Sequence, residues 1–178
     1  MMRLERADGP AGLWGGEVVE PPAARSPRES PAAAPENPAT AKDYSRCFGC
    51  GQHNPIGLKL RFRWEDGRAL AEFTPGELHQ GWPGIMHGGL VNALLDEAMG
   101  YVTYFQGLNT VTARMTVRFR RTARLGQRLL LVAETLKRAK RLVEVKGVAR
   151  LDDGTVVAES TATMFVLGDA ELPDYGIV

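Results

Sequence analysis

The feature that most constrains this chain is the stretch from Leu90 to Phe105, which reads LVNALLDEAMGYVTYF. On a helical projection it is apolar on almost every side, whereas a helix with one wet face shows a wide polar stripe. It is also shorter than the roughly 20 apolar residues that a bilayer-spanning helix needs. We therefore expect a helix buried in the core of a soluble domain, entered through residues 83–89 and ending at about Phe105.

The few polar side chains on this helix are candidates for function. At 100° per residue, Asn92, Asp96 and Thr103 fall within about 40° of one another, and Glu97 points about 100° away from Asp96. A carboxylate on a core helix is costly unless it is paired or has a task. Asp96 is the first residue to explain, either as a functional acid or as a buried structural acid. For Glu97 we expect a structural or interface role.

The composition is that of an ordinary soluble protein, with 44% apolar and 24% charged residues. A net charge of +1 gives no reason to expect a nucleic acid or an anionic membrane as partner. No apolar run reaches ~18 residues, so we expect no membrane span. The first ten residues lack the apolar core of a secretory signal, and two cysteines make no disulfide framework. These features predict a cytoplasmic protein.

The first 43 residues differ in composition from the rest of the chain. They are rich in alanine and contain seven of the eleven prolines: Pro10, Pro21, Pro22, Pro27, Pro31, Pro35 and Pro38. Such a stretch buries too little apolar surface to offset its conformational entropy, so we expect a disordered tail. We place the folded domain at residues 44–168 and a short polar tail at 169–178.

Alternation of apolar and polar residues predicts two strands before the helix and four after it. The first strand carries Leu58, Leu60, Phe62 and Trp64 on one face, and Asp66-Gly67 makes a hairpin turn into the next. After the helix, Val111, Ala113, Met115, Val117 and Phe119 alternate with polar residues. Three further strands follow at about 128–140, 141–151 and 156–166. Short links favour antiparallel neighbours, and the helix is the one element able to cover a face. The prediction is an α+β fold, a curved antiparallel sheet of about six strands wrapped around one long central helix.

Several residues on this framework carry a family resemblance. His87-Gly88-Gly89 is followed by Asp96 nine residues after the histidine, and the strand after the helix runs from Thr112-Ala113-Arg114-Met115 to Leu125-Gly126. Together they resemble the signature of hotdog-fold acyl-CoA thioesterases of the phenylacetate-pathway and 4-hydroxybenzoyl-CoA type, over about residues 44–167. The resemblance implies the hotdog fold and hydrolysis of an acyl-CoA to the free acid and CoA without a cofactor. It also implies a homo-oligomer, dimer or tetramer, with sites at the subunit seam.

The resemblance assigns roles at the helix start. It implies that Asp96 acts as general base or nucleophile, that the Gly88 N–H polarises the thioester carbonyl, and that Thr112 holds the attacking water or the acid. This fits general chemistry, because free N–H groups at a helix N-terminus stabilise a developing oxyanion. Substrate-binding candidates are Gly89, Gln80 and Asn92. His87 orients the thioester or simply caps the helix. The family often has an asparagine shortly before HGG, where this chain has Gln80-Gly81.

Basic residues on the later strands are candidates for binding the phosphates of CoA, which suit the planar fork of arginine. We select Arg118, Arg120, Arg138 and Lys140. The alternative is that these side chains lie on solvated outer faces or at a subunit seam.

Cys47, Cys50 and His53 form a C-x2-C-x2-H pattern. A closed zinc site needs four ligands, and the sequence lacks the fourth unless His79 joins. A redox pair is not expected either, since no βαβ pattern follows. We therefore expect a compact turn without a metal.

Two other functions fit the same pattern: a non-catalytic acyl-CoA-binding module and a hotdog dehydratase acting on a hydroxyacyl thioester. Intact Asp96 and HGG favour hydrolysis over the binding module.

Overall fold

A computed structural model describes residues 44–167, and the two predicted tails lie outside the described residues. The elements in chain order are β1 (Arg63–Glu65), β2 (Arg68–Phe73), α1 (Gly88–Phe105), β3 (Thr110–Phe119), β4 (Leu129–Ala139), β5 (Leu142–Leu151) and β6 (Val156–Val166). Two one-turn 3-10 helices, Tyr44–Arg46 and Glu77–His79, lie in the loops. The predicted order of two strands, one helix and four strands is confirmed. Among the described residues, no helix has the length and hydropathy needed to cross a membrane.

The strands form one antiparallel sheet in the order β1-β2-β4-β5-β6-β3. β3 and β4 follow each other in sequence but are not neighbours, so the expectation that short links join adjacent strands was wrong here. The link from Arg120 to Arg128 has nine residues. Fully extended, such a link reaches about 30 Å, and crossing three strand spacings takes about 14 Å. β3 thereby becomes an edge strand beside β6.

Helix α1 covers one face of this sheet. Every residue from Leu90 to Phe105 is buried or half-buried, so this helix has no fully exposed face. Leu94, Leu95 and Met99 are fully buried in the core with side chains of β4 and β5. The helix lies close to the sheet at Gly147 of β5, where an added Cβ would be 3.2 Å from Met99 Cγ. The buried central helix predicted from the sequence is confirmed.

The first predicted strand is shorter in the structure than in the prediction. Leu58 and Leu60 are buried as their alternation predicts, yet only Arg63–Glu65 pairs with β2. Lys59 between them has a positive φ of 55°, which breaks the extended backbone. The N–H groups of Leu58 and Leu60 instead donate to the carbonyls of Phe48 and Gly49, at 2.7 and 2.9 Å. The cysteine-containing turn, and not β2, therefore fixes this segment.

Candidate active site

The Asp96 carboxylate is held by a hydroxyl from the neighbouring edge strand. Thr112 Oγ1 donates a hydrogen bond to Asp96 Oδ1 at 2.8 Å. The pair lies in the wall of a cavity of about 270 Å³. Helix α1 contributes Asp96, Glu97 and Gly100 to this cavity, and residues 110–112 of β3 lie on its other side. The structure thus brings together Asp96 and Thr112, the two residues that the family resemblance pairs.

A β-bulge in β3 aims Thr112 at the helix. The pairing with β6 shifts between Thr112 and Arg114, leaving Ala113 without a partner in the register. Before the bulge, Thr110 and Thr112 face α1; the Thr110 and Thr103 hydroxyl oxygens are 2.6 Å apart. Beyond the bulge, Met115 and Val117 pack against the core. The strict alternation predicted for this strand was therefore wrong at its start, because one extra residue reverses the side-chain parity.

The start of α1 leaves one backbone donor available. His87 is the N-cap, and its Nδ1 accepts from the Gly89 N–H at 2.9 Å. The Gly88 N–H makes no hydrogen bond within residues 44–167, and Gly88 is exposed beside the ring of Phe119. His87 therefore has the capping position that was its alternative assignment. The N–H of Gly88 is free to bind an external acceptor.

Gly88 and Asp96 are not brought together within one chain. They are eight residues apart on α1, which corresponds to about 12 Å along a helix axis. A carbonyl hydrogen-bonded to the first group and attacked by the second needs both within roughly 3 Å of the reacting atoms. One copy of this helix cannot supply both groups to the same carbonyl.

The other residues predicted to bind substrate near the helix have different surroundings. Gln80 is exposed, and its Oε1 accepts from the Gly84 N–H at 2.7 Å, which fixes the loop before α1. Asn92 is half-buried one turn before Asp96, on the same line of the helix. Gln80 therefore has a structural bond in addition to any contact with substrate.

The structure separates the four basic candidates into two groups. Arg118 is exposed near the far end of β3, and Arg120 beside it pairs with Glu159 at 2.8 Å. Arg138 and Lys140 lie at the β4–β5 hairpin, at the opposite end of the sheet. Arg138 shares a row with Thr112 but lies three strands away, which is about 14 Å. The four residues do not form one phosphate site in a single chain.

Glu97, the neighbour of Asp96, faces a pair of cysteines. Its Oε1 is 3.6 Å from Cys47 Sγ. Burial, and then the charge of Cys47, raises the pKa of Glu97 to about 7. A hydrogen bond from Cys50, opposed by burial, lowers the pKa of Cys47 to about 5. Its hydrogen bond to Cys47, followed by burial, raises the pKa of the Cys50 thiol. The sequence alone does not reveal this cluster, because no local pattern joins residues fifty positions apart.

Comparison with known proteins agrees with this architecture. The family description "thioesterase superfamily" matches residues 83–158, which span α1 and the strands up to the start of β6. Over these residues the chain is similar to that superfamily. A mouse protein, acyl-coenzyme A thioesterase THEM5, is 26% identical over 107 residues, which are 60% of this chain and 43% of the mouse protein. The chain thus spans less than half the length of that relative.

Several solved structures share the hotdog fold of this chain. A hypothetical thioesterase from Streptococcus pneumoniae, solved with coenzyme A, is 22% identical with a TM-score of 0.59, covering 63% of this chain and 91% of its own. PaaI from the phenylacetic acid degradation operon of E. coli is 22% identical with a TM-score of 0.60, covering 64% and 83%. The predicted fold class is confirmed.

The Streptococcus pneumoniae protein has also been solved as two alanine variants, one at an aspartate and one at a threonine. Those two positions have the same separation of 16 residues as Asp96 and Thr112 in this chain.

Proposed function

We propose that this protein is an acyl-CoA thioesterase, which hydrolyses an acyl-CoA to the free acid and CoA. The observation that carries the proposal is the Asp96 carboxylate, held by Thr112 at a cavity beside the edge strand. The relative solved with coenzyme A, and its aspartate and threonine variants at matching separation, support the same assignment.

The proposed chemistry uses Asp96 and a backbone donor. Attack on the thioester carbonyl places negative charge on its oxygen, which the Gly88 N–H stabilises at the positive end of the helix dipole. Asp96 either takes a proton from the attacking water or attacks the carbonyl itself and forms an anhydride that water then opens. In both routes the carbon–sulfur bond breaks, CoA leaves as its thiol, and the acyl group gains the oxygen of water. This chemistry requires no cofactor.

Two copies of the chain complete each site in this proposal. The separation of about 12 Å between Gly88 and Asp96 along α1 is too large for one carbonyl to use both from the same chain. β3 lies at the sheet edge, and Thr112, Arg114 and Phe119 on it are exposed. Pairing of two β3 edges in a dimer would bring Asp96 of one copy towards Gly88 of the other.

The remaining candidates belong to substrate binding in this proposal. Gly89 lets the thioester approach the helix start because it has no Cβ, and His87, Gln80 and Asn92 flank that approach. Arg118, Arg120, Arg138 and Lys140 are proposed to bind the phosphates of CoA. Because they lie at opposite ends of the sheet, a single copy does not supply all four to the same CoA.

The proposal is tested with Asp96→Asn and Glu97→Gln, each a near-isosteric loss of a carboxylate. Asp96→Asn should lower kcat at least ~100-fold with little change in KM, as expected for a lost general base. Glu97→Gln should affect stability or assembly more than the rate per folded site. Steady-state release of CoA thiol, with mass spectrometry of the products, separates hydrolysis from dehydration and from binding alone. Full activity in Asp96→Asn, or loss only in Glu97→Gln, would overturn the assignment.

Mixing two inactive variants extends this test to the shared site. Gly88→Pro removes the N–H but suits the first helical position, and His87 already has the extended backbone that precedes proline. Mixed dimers of Gly88→Pro and Asp96→Asn chains contain one intact site, so random mixing should restore about a quarter of the parent activity. Gly88→Ala keeps the N–H and is the control. A mixture that stays inactive would place both groups in one chain.

A further inference from the structure

The turn formed by residues 47–51, here called the cysteine knuckle, is tightly built. The Gly51 N–H donates to the Cys47 carbonyl at 3.0 Å, and an added Cβ at Gly51 would overlap the Cys47 backbone. At Gly49 an added Cβ would overlap the Glu97 carboxyl group. The knuckle is therefore shaped to receive the side chain of Glu97 from α1.

Three potential metal ligands meet where the knuckle contacts the helix. The ligand atoms of Cys47, Cys50 and Glu97 all lie within 4.8 Å of one another. Cys47 Sγ and Glu97 Oε1 are 3.6 Å apart. Around a tetrahedral zinc with Zn–S of about 2.3 Å and Zn–O of about 2.0–2.2 Å, a sulfur and an oxygen ligand are separated by about 3.5 Å. The 3.6 Å distance between Cys47 Sγ and Glu97 Oε1 therefore fits two ligands of one ion.

The types of the three potential ligands also suit a particular cation, because two are cysteine sulfurs and one is a carboxylate oxygen. Thiolate ligands bind zinc in preference to harder divalent ions such as magnesium and calcium. A thiolate and a carboxylate buried side by side repel each other unless a proton or a cation lies between them.

Neither histidine suggested by the sequence pattern joins this cluster. His53 is exposed, and the three-ligand group of the described residues does not include it. His79 packs its ring against Phe73, and its Nδ1 accepts from the Gly76 N–H at 2.8 Å. The third potential ligand beside the two cysteines is therefore Glu97 of α1.

We propose that Cys47, Cys50 and Glu97 bind one zinc ion, with the fourth position open to the cavity that contains Asp96. The ion ties the knuckle to α1 one residue from Asp96. This differs from the expectation of a metal-free turn, which rested on the lack of a fourth protein ligand in the sequence pattern. The site is independent of whether Asp96 performs hydrolysis.

The test measures metal binding by the full chain, kept reduced and stripped with a chelator. Titration with zinc against a chromogenic chelator should give one ion per chain. Cobalt(II) should produce a thiolate charge-transfer band. Glu97→Gln, which keeps the size of the side chain, should weaken zinc binding at least ~10-fold, and Cys47→Ser should also reduce the cobalt band. Asp96→Asn should bind zinc like the parent, so the result does not depend on catalysis.

His53→Ala is the matched control, because it removes the histidine of the sequence pattern and leaves the three structural ligands. It should bind zinc like the parent. Substoichiometric zinc in the parent would overturn the proposal, as would unchanged binding in Glu97→Gln. A loss in His53→Ala as large as that in Glu97→Gln would assign the metal to a different ligand set.

Discussion

At the scale of single residues, Asp96 could be singled out from the sequence, whereas the orientation of Thr112 towards it could not be predicted. Asp96 is conspicuous because it is a carboxylate in an apolar helix, nine residues after a histidine. Thr112 was assigned to the acid by resemblance alone, since strict alternation sets it opposite Met115 and Val117. The bulge at Ala113 turns the Thr112 side chain towards α1, and no local residue pattern predicts that bulge.

The hydrogen bond between Thr112 and Asp96 predicts a measurable effect on turnover. Thr112→Val keeps the branched shape and removes the donor to the carboxylate. A hydrogen bond to a charged group contributes about 1.5–3 kcal/mol, so kcat should fall about tenfold or more. Steady-state hydrolysis measures this, and Thr112→Ser, which retains a hydroxyl, should recover most of the rate. Parent-like kcat in Thr112→Val would show that the bond does not position the acid.

At the scale of elements, α1 and most strands follow from apolar periodicity, because burial imposes that period on the sequence. Two neighbouring carboxylates on α1 nevertheless have different surroundings, since one step of the helix turns Asp96 towards β3 and Glu97 towards the cysteine knuckle. The surroundings of Glu97 could not be predicted, because they depend on how a loop fifty residues away docks.

Two glycine substitutions should change the stability of the fold in opposite directions, one in β5 where it faces α1 and one within α1. Gly147→Val should destabilise the fold by about 1–3 kcal/mol, because its Cβ alone would be 3.2 Å from Met99 Cγ and 3.4 Å from Leu95 Cδ2. Gly100→Ala lies within the same helix, and its added Cβ meets nothing within 4 Å. It should stabilise by up to about 1 kcal/mol through helix propensity.

Thermal or denaturant unfolding of the two variants measures these changes. Equal destabilisation by both would contradict the packing described at Gly147.

At the scale of the whole molecule, the order of elements was predictable and their arrangement in the sheet was not. Turn residues and alternation mark where strands begin and end. The position of β3 beside β6 depends on a link that runs across the sheet and bonds to the loop before α1, as in the Met86 N–H to Ala123 carbonyl bond of 2.9 Å. Such long-range pairing leaves no periodic trace in the sequence.

The limits of the folded domain give a prediction for truncation. Deleting residues 1–40 should leave the melting temperature and the oligomeric state nearly unchanged, since that stretch lacks a core-forming pattern. Deletion through residue 50 is the contrasting variant. It removes the carbonyls of Phe48 and Gly49 that hold Leu58 and Leu60, and should lower stability clearly. Differential scanning calorimetry and light scattering measure both. The deleted stretch contains a few apolar residues, among them Trp14 and Val18-Val19. A large loss of stability in the shorter deletion would show that such residues contribute to the domain.

The edge position of β3 has a consequence for regulation by abundance. Its outer backbone groups pair with no strand within residues 44–167, and Thr112 lies on it. If a second copy covers this edge and completes the site, the monomer is inactive. Below the dissociation constant of the pair, activity then rises with the square of the protein concentration. The level of gene expression would then control the activity, because hydrolysis of acyl-CoA would begin only at protein concentrations at which two chains associate.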